Sequence, residues 1–188
     1  MSQGTLRRQD KAIGQAEIDE LLKTAKVGHF GTVSRSGDPY VVPNLFVYED
    51  GKIYSHNAKI SGHFRQNLEG NPRVCFEVAE IGQVWPYGEF ECDTTASYTS
   101  VIVYGPARIE DDPAKKAWFF DRFMAKYANP AWDRPKSFYP RLDAVSVYCI
   151  ELEQVTGKKG SMPAVEEQWP AKNKTLSPQA VPLGQESI

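Results

Sequence analysis

The chain has 188 residues, 41% hydrophobic, 12% aromatic and 24% charged, which suits a single domain whose core needs no disulfide or metal staple. Lys+Arg 22 against Asp+Glu 24 gives a formal net charge of -2, so no general grip on a nucleic-acid backbone is expected. There is no apolar run of the roughly 20 residues a membrane helix needs and no apolar stretch of a secretory signal, so a cytoplasmic protein without a membrane partner is expected.

Residues 1–15 are polar and basic and read as an arm. Ile18, Leu21, Leu22 and Ala25 recur at helical spacing, which predicts an amphipathic helix over 16–25. From Val27 the period shortens to two. Strands are predicted over 27–33, 39–48 and 52–56, with Ser36-Gly37-Asp38 and Asp50-Gly51 as hairpin turns. Residues 57–72 read as a loop passing into a short helix that Gly70, Asn71 and Pro72 stop. A strand over 73–80 follows, then an irregular connection over 81–93 that holds Gly and Pro, then a long strand over 97–110 with Gly105-Pro106 as a bulge or edge. Asp112 and Pro113 start a helix as cap and first residue, and 143–157 is the last strand. The tail, 157–188, carries Pro163, Pro170, Pro178 and Pro182 and is expected to be extended. Six strands in meander order, without regular helical crossovers, predict a mainly β, antiparallel barrel (α+β) with a few peripheral helices over 16–156.

The three cysteines, Cys75, Cys92 and Cys149, form no CxxC pair, which argues against a zinc site or disulfide framework. Cys75 and Cys149 lie within apolar strands and read as small buried hydrophobes. GxGxxG after a strand, GxxxxGK[ST], HExxH and GxSxG are all absent, which sets aside Rossmann dehydrogenases, P-loop NTPases, zincins and α/β-hydrolases.

The polar segment 54–65 remains, where a strand hands over to a helix. The orphan N–H groups of a helix start attract an anion, and Lys59, Ser61, His63 and Arg65 add charge and donors there. A phosphate-bearing ligand fits; a solvated basic loop fits the spacing equally well. His56 leaves the same strand face as Tyr54, just before this loop, and is the candidate catalytic residue. Its ordinary pKa of about 6.5 would let it serve in either protonation state. His29 reads as packing. Asn44 interrupts an apolar strand after Pro43, which confines that point to an edge or bulge whose free backbone could bond a heterocycle. Trp85, Tyr87 and Phe90 mark a mobile loop or a subunit contact.

In order, the stretches at 28–63, 71–78, 80–83, 97–109 and 145–158 resemble the FMN-binding split-barrel superfamily named for pyridoxamine 5'-phosphate oxidase, and more narrowly its 5-nitroimidazole-resistance (Nim) reductase branch. The resemblance implies a homodimer of six-stranded split barrels with FMN between the subunits and a small-molecule substrate. By position, it assigns Val42, Pro43 and Asn44 to the isoalloxazine edge, and Ser55, His56 and Asn57 to the strand beside it. Lys59, Ser61, Gly62 and His63 would grip the phosphate. Tyr98, Ser100 and Val101 would come from the partner subunit, and Lys158 would lie near the site. His56 matches the histidine close to the flavin in Nim-like members. The C-terminal Arg-x-His-type motif of true pyridoxamine phosphate oxidases is absent, which disfavours a B6 vitamer as substrate. The implied activity is FMN-dependent reduction of electron-poor organics such as nitroaromatics. The alternatives are a flavin- or haem-binding module without turnover, with His29, His56 or His63 as the histidine ligand of a haem, and an interaction domain that has lost its cofactor.

Overall fold

The protein was analysed as a computed structural model, which describes residues 5–60, 62–86, 92–162 and 164. The first helix, α1 (Gln15–Thr24), buries Ile18, Leu21 and Leu22 on one face, as the spacing predicts. Eight strands follow: β1 (Gly28–Val33), β2 (Pro39–Asn44), β3 (Phe46–Glu49), β4 (Lys52–Ala58), β5 (Arg73–Pro86), β6 (Thr94–Glu110), β7 (Val145–Glu151) and β8 (Gln154–Gly160). Two further helices, α2 (His63–Gly70) and α3 (Pro113–Tyr127), are inserted between them. All pairings are antiparallel, in the order β2-β1-β5-β6-β7-β4-β3, with β8 added to β6. The edges β2 and β3 are joined through Leu45 alone, so the chain itself closes the barrel.

Six strands become eight because two of the expected ones break. One breaks at Leu45; the other breaks after Glu151, so that β7 pairs with the end of β6 and β8 with its middle. Gly105 allows the second break: a Cβ there would lie 1.7 Å from the backbone O of Glu151. β8 therefore carries the sheet past residue 156 to Gly160, and the arm joins it through an Ala12–Lys158 bridge. The connection expected to be irregular over 81–93 is strand over 81–86, while Tyr87 and Phe90 lie outside the described residues. β5 and β6 pair as far as Pro86 and Thr94, with a register shift between Ile81 and Val84, where Gly82 leaves room for the Ser97 hydroxyl. A glycine read as a breaker is the bulge of a long hairpin.

Asp50 and Gly51, both at positive φ, make the two-residue turn between β3 and β4. Asp112 caps α3, accepting from Ala114 N at 2.9 Å. The barrel interior is centred on Phe30, Phe46 and Phe76, whose rings meet edge to face at 4.8 and 4.9 Å. A second cluster lies outside, where Phe119 of α3 covers Val47, Tyr54, Val147 and Cys149. Among the described residues no helix is long and apolar enough to cross a membrane.

Candidate functional site

Period-two alternation places Ser55 and Asn57 on the barrel side of β4, and Tyr54 and His56 under α3. Asn44, at the end of β2, ties this region together. Its Nδ2 donates to His56 O (2.9 Å) and Asn57 Oδ1 (2.7 Å), and its Oδ1 accepts from Leu45 N at 3.0 Å. The Asn44 amide is thus fully engaged in holding the β2–β3 bend against β4, and only the backbone of this edge is left for a ligand. Pro43 is exposed on the outward face, while Val42 packs inward against the core.

The segment after β4 turns over the start of β7, where Lys59 N donates to Ala144 O at 2.9 Å. Its ammonium is exposed and unpaired among the described residues. Gly62 precedes α2 with no side-chain cap, so the N–H groups of the first turn keep their affinity for an anion. A Cβ on Gly62 would meet nothing within 4 Å, so the space there is open. His63, the first residue of α2, is exposed and stacks on Tyr40 of β2 (centroids 5.6 Å apart, planes 24°). The structure thus gathers Lys59, Gly62, His63 and a helix N-terminus at one end of the barrel; Ser61 lies outside the described residues.

Tyr98, Ser100 and Lys158 form a separate set on the outward face of β6 and β8. Ser100 pairs with Lys158, and Lys158 Nζ lies 5.1 Å from the Tyr98 ring centroid. From Pro43 the registers run through His29 and Glu77 to Ile102 on the strand of Tyr98 and Ser100, three inter-strand steps or about 14 Å, and one further step reaches Thr156 on the strand of Lys158. Within one chain the two sets are carried by strands that are not neighbours in the sheet.

Three of the expected site residues have surroundings that the sequence did not indicate. Val101 is 0% exposed, its side chain in the core and its backbone paired with Gly157. Ser55 is 1% exposed and donates its hydroxyl to Leu45 O at 2.8 Å. Neither side chain reaches a surface where a ligand could meet it. The His56 ring sits among Phe119, Phe120 and Phe123, with centroids at 5.6, 5.1 and 4.9 Å, and its Nδ1 is buried without a hydrogen-bond partner among the described residues. Burial pushes its pKa below the ordinary value, which favours the neutral ring.

Sequence reasoning also missed two tyrosines. Tyr40 supplies the platform under His63. The Tyr127 hydroxyl accepts from Phe46 N at 3.0 Å and lies 2.7 Å from Phe46 O and 2.9 Å from Lys26 O, clamping α3 to β3. Tyr40 stood in a predicted strand opposite the polar segment, a usable signal; Tyr127 is 81 residues from its partner and left none.

The sequence profile of the pyridoxamine 5'-phosphate oxidase family matches residues 14–159, which span both sets. The chain belongs to this family. Pyridoxamine 5'-phosphate oxidase-like proteins are flavin-binding split barrels, the fold described above. Solved structures agree on the fold. A candidate 5-nitroimidazole antibiotic resistance protein from Bacteroides thetaiotaomicron is 23% identical (TM-score 0.66; 79% of this chain, 86% of that one). The flavocytochrome Anf3 from Azotobacter vinelandii is 19% identical (TM-score 0.73; 98% and 90%). An FAD and heme binding protein from Mycobacterium smegmatis is 17% identical (TM-score 0.66; 96% and 94%). No curated protein sequence matches the chain. Among the described residues, no group of three His, Cys, Asp or Glu could hold a metal ion.

Proposed function

We propose that this family member is an FMN-dependent oxidoreductase that works as a homodimer and reduces small electron-poor organics such as nitroaromatics. The observation that carries the reading is the uncapped α2 N-terminus, flanked by Lys59 and His63 and opening onto free space at Gly62. Those residues suit a flavin phosphate: the helix N–H groups bond its oxygens and the Lys59 ammonium balances their charge. A bound flavin would supply the electron-transfer chemistry. The chain's own part is orientation. Asn44 fixes the β2–β3 bend, so that the backbone beside Pro43 is presented in one geometry, and the Tyr40–His63 stack closes the phosphate end. The set at Tyr98, Ser100 and Lys158 acts from a second copy, since within one chain its strands are not neighbours of those that carry the cradle.

The test is the absorption spectrum of purified protein, followed by FMN titration. Wild type is expected to show a flavin band or to acquire one on adding FMN. Lys59→Ala is expected to weaken FMN binding about tenfold, and a phosphate-bound Gly62 also makes Gly62→Ala lose affinity while folding normally. A folded wild-type protein that ignores FMN overturns the reading.

His56 favours haem as the second reading. An imidazole nitrogen without a partner, ringed by apolar side chains, is the kind of group that ligates haem iron. Phe119, Phe120 and Phe123 already fill the space around it, so flavin ranks first. A Soret band in the same spectrum would reverse that order.

A further inference from the structure

The far side of α3 carries a groove of about 310 Å³ that the flavin site does not use, lying between the C-terminal half of the helix and the loop 129–139. Met124, Ala125, Ala128, Trp132, Arg134 and Tyr139 are among its walls. Met124 and Trp132 are 39% and 52% exposed, which is unusual for apolar side chains of that size. The other charged lining groups are engaged. Asp121 accepts from the Tyr139 hydroxyl at 2.8 Å, and Lys136 Nζ donates to Trp132 O at 3.1 Å. The Arg134 guanidinium has no partner among the described residues, and Asp133 beside it, which lines a neighbouring hollow, forms no ion pair with it. The carbonyl end of α3 disfavours an anion here, and Lys136 in the same loop offsets it.

We propose that this groove binds a planar aromatic anion, an aromatic carboxylate in chemical class. The volume is at the low end for small-molecule sites, enough for one or two fused rings. Trp132, Tyr139 and the Met124 thioether offer the faces and soft edges such rings pack against. The planar fork of Arg134 matches a carboxylate in two parallel hydrogen bonds. A neutral apolar ligand would leave that guanidinium unused, and a cation would meet it as a like charge. The site also has a line to the core: the Tyr139 ring lies 5.5 Å from Phe120, and Phe120 lies 5.1 Å from His56. A ring seated on Tyr139 is therefore two aromatic contacts from the buried imidazole.

The test is calorimetric titration of the full chain with 2-naphthoate, with the Met124 methyl and the His56 ring followed by NMR. Saturable binding with Kd below about 1 mM is expected, with shifts of both resonances. Arg134→Gln, and replacement of the probe by neutral 2-naphthalenemethanol, are each expected to weaken binding at least about tenfold. Ala128→Trp fills the groove and is expected to abolish it. Absence of binding up to about 10 mM, or affinity unchanged in Arg134→Gln or Ala128→Trp, overturns the proposal. So does a probe-free sample in which the Met124 methyl shifts with protein concentration, which assigns the groove to a second copy. Probe-free contacts from Met124 to residues 165–188 would assign it to the chain's own end and overturn it equally.

Discussion

His56 and Lys126 are both polar groups without a hydrogen-bond partner among the described residues, held in apolar surroundings, and both leave a signature in pH. His56 is neutral when folded, with its pKa pushed down by burial, whereas in the unfolded chain it takes a proton near pH 6.5. The unfolded state therefore binds more protons below that pH, and stability falls as pH drops from about 6.5 toward the folded value, by at most about 1.4 kcal/mol per pH unit. In urea unfolding at pH 7 and pH 5, a His56→Leu variant is expected to gain on wild type at the lower pH. Lys126 Nζ lies 3.9 Å from the Phe46 ring centroid, and burial, with Lys26 nearby, lowers its pKa to about 8. Between about pH 8 and the unfolded value near 10.4, the unfolded state again holds more protons, so this burden is full at pH 7 and relieved as pH rises. Lys126→Met is expected to raise stability by about 1 kcal/mol at pH 7, with the gain shrinking above pH 8. The polar segment was legible in the sequence, but the environment of His56 was not. Alternation separates the two faces of a strand without saying which one a helix 57 or more residues later will cover.

At the level of elements, hydrophobic period and turn chemistry located every strand, and the errors fell where a strand bends without a change of period. Apolar residues continue through Leu45 and through Leu152, so one run reads as one strand; the breaks are set by tertiary closure. Gly105 is where that closure is tightest. Since the Glu151 backbone carbonyl cannot swing aside as a flexible side chain can, Gly105→Ala must push β7 away from β6. Its expected cost is about 4 kcal/mol or more, read as loss of the cooperative urea transition at ordinary temperatures. Gly14→Ala, with nothing within 4 Å of the new Cβ, is the matched control and is expected to unfold within about 0.5 kcal/mol of wild type.

Among the described residues of the whole molecule, one sheet face is bare. Val41 (63% exposed) and Ile81 (75%) stand on the outward side of the barrel with Pro43, Tyr98 and Lys158, around the His29–Glu77 pair at 3.0 Å. The alternation that puts these residues on one face was legible in the sequence, but not that no helix among the described residues covers it: α1 and α2 pack with the interior cluster, and α3 covers β3, β4 and β7. A bare face holding half of a proposed cofactor site, with other strands between it and the other half, is what a two-fold partner resolves. Ile81→Asp puts a charge into that contact without touching the anion cradle at α2. If the two halves meet across subunits, the variant is expected to sediment as a monomer and to lose FMN affinity with it, by about tenfold or more, although Lys59, Gly62 and His63 are intact. If the variant is monomeric and still binds FMN as wild type does, one chain is sufficient and Tyr98, Ser100 and Lys158 have no part in the site. Sedimentation and FMN titration on the same sample separate the two cases, because the cradle alone would answer to phosphate and the complete site to the assembled pair.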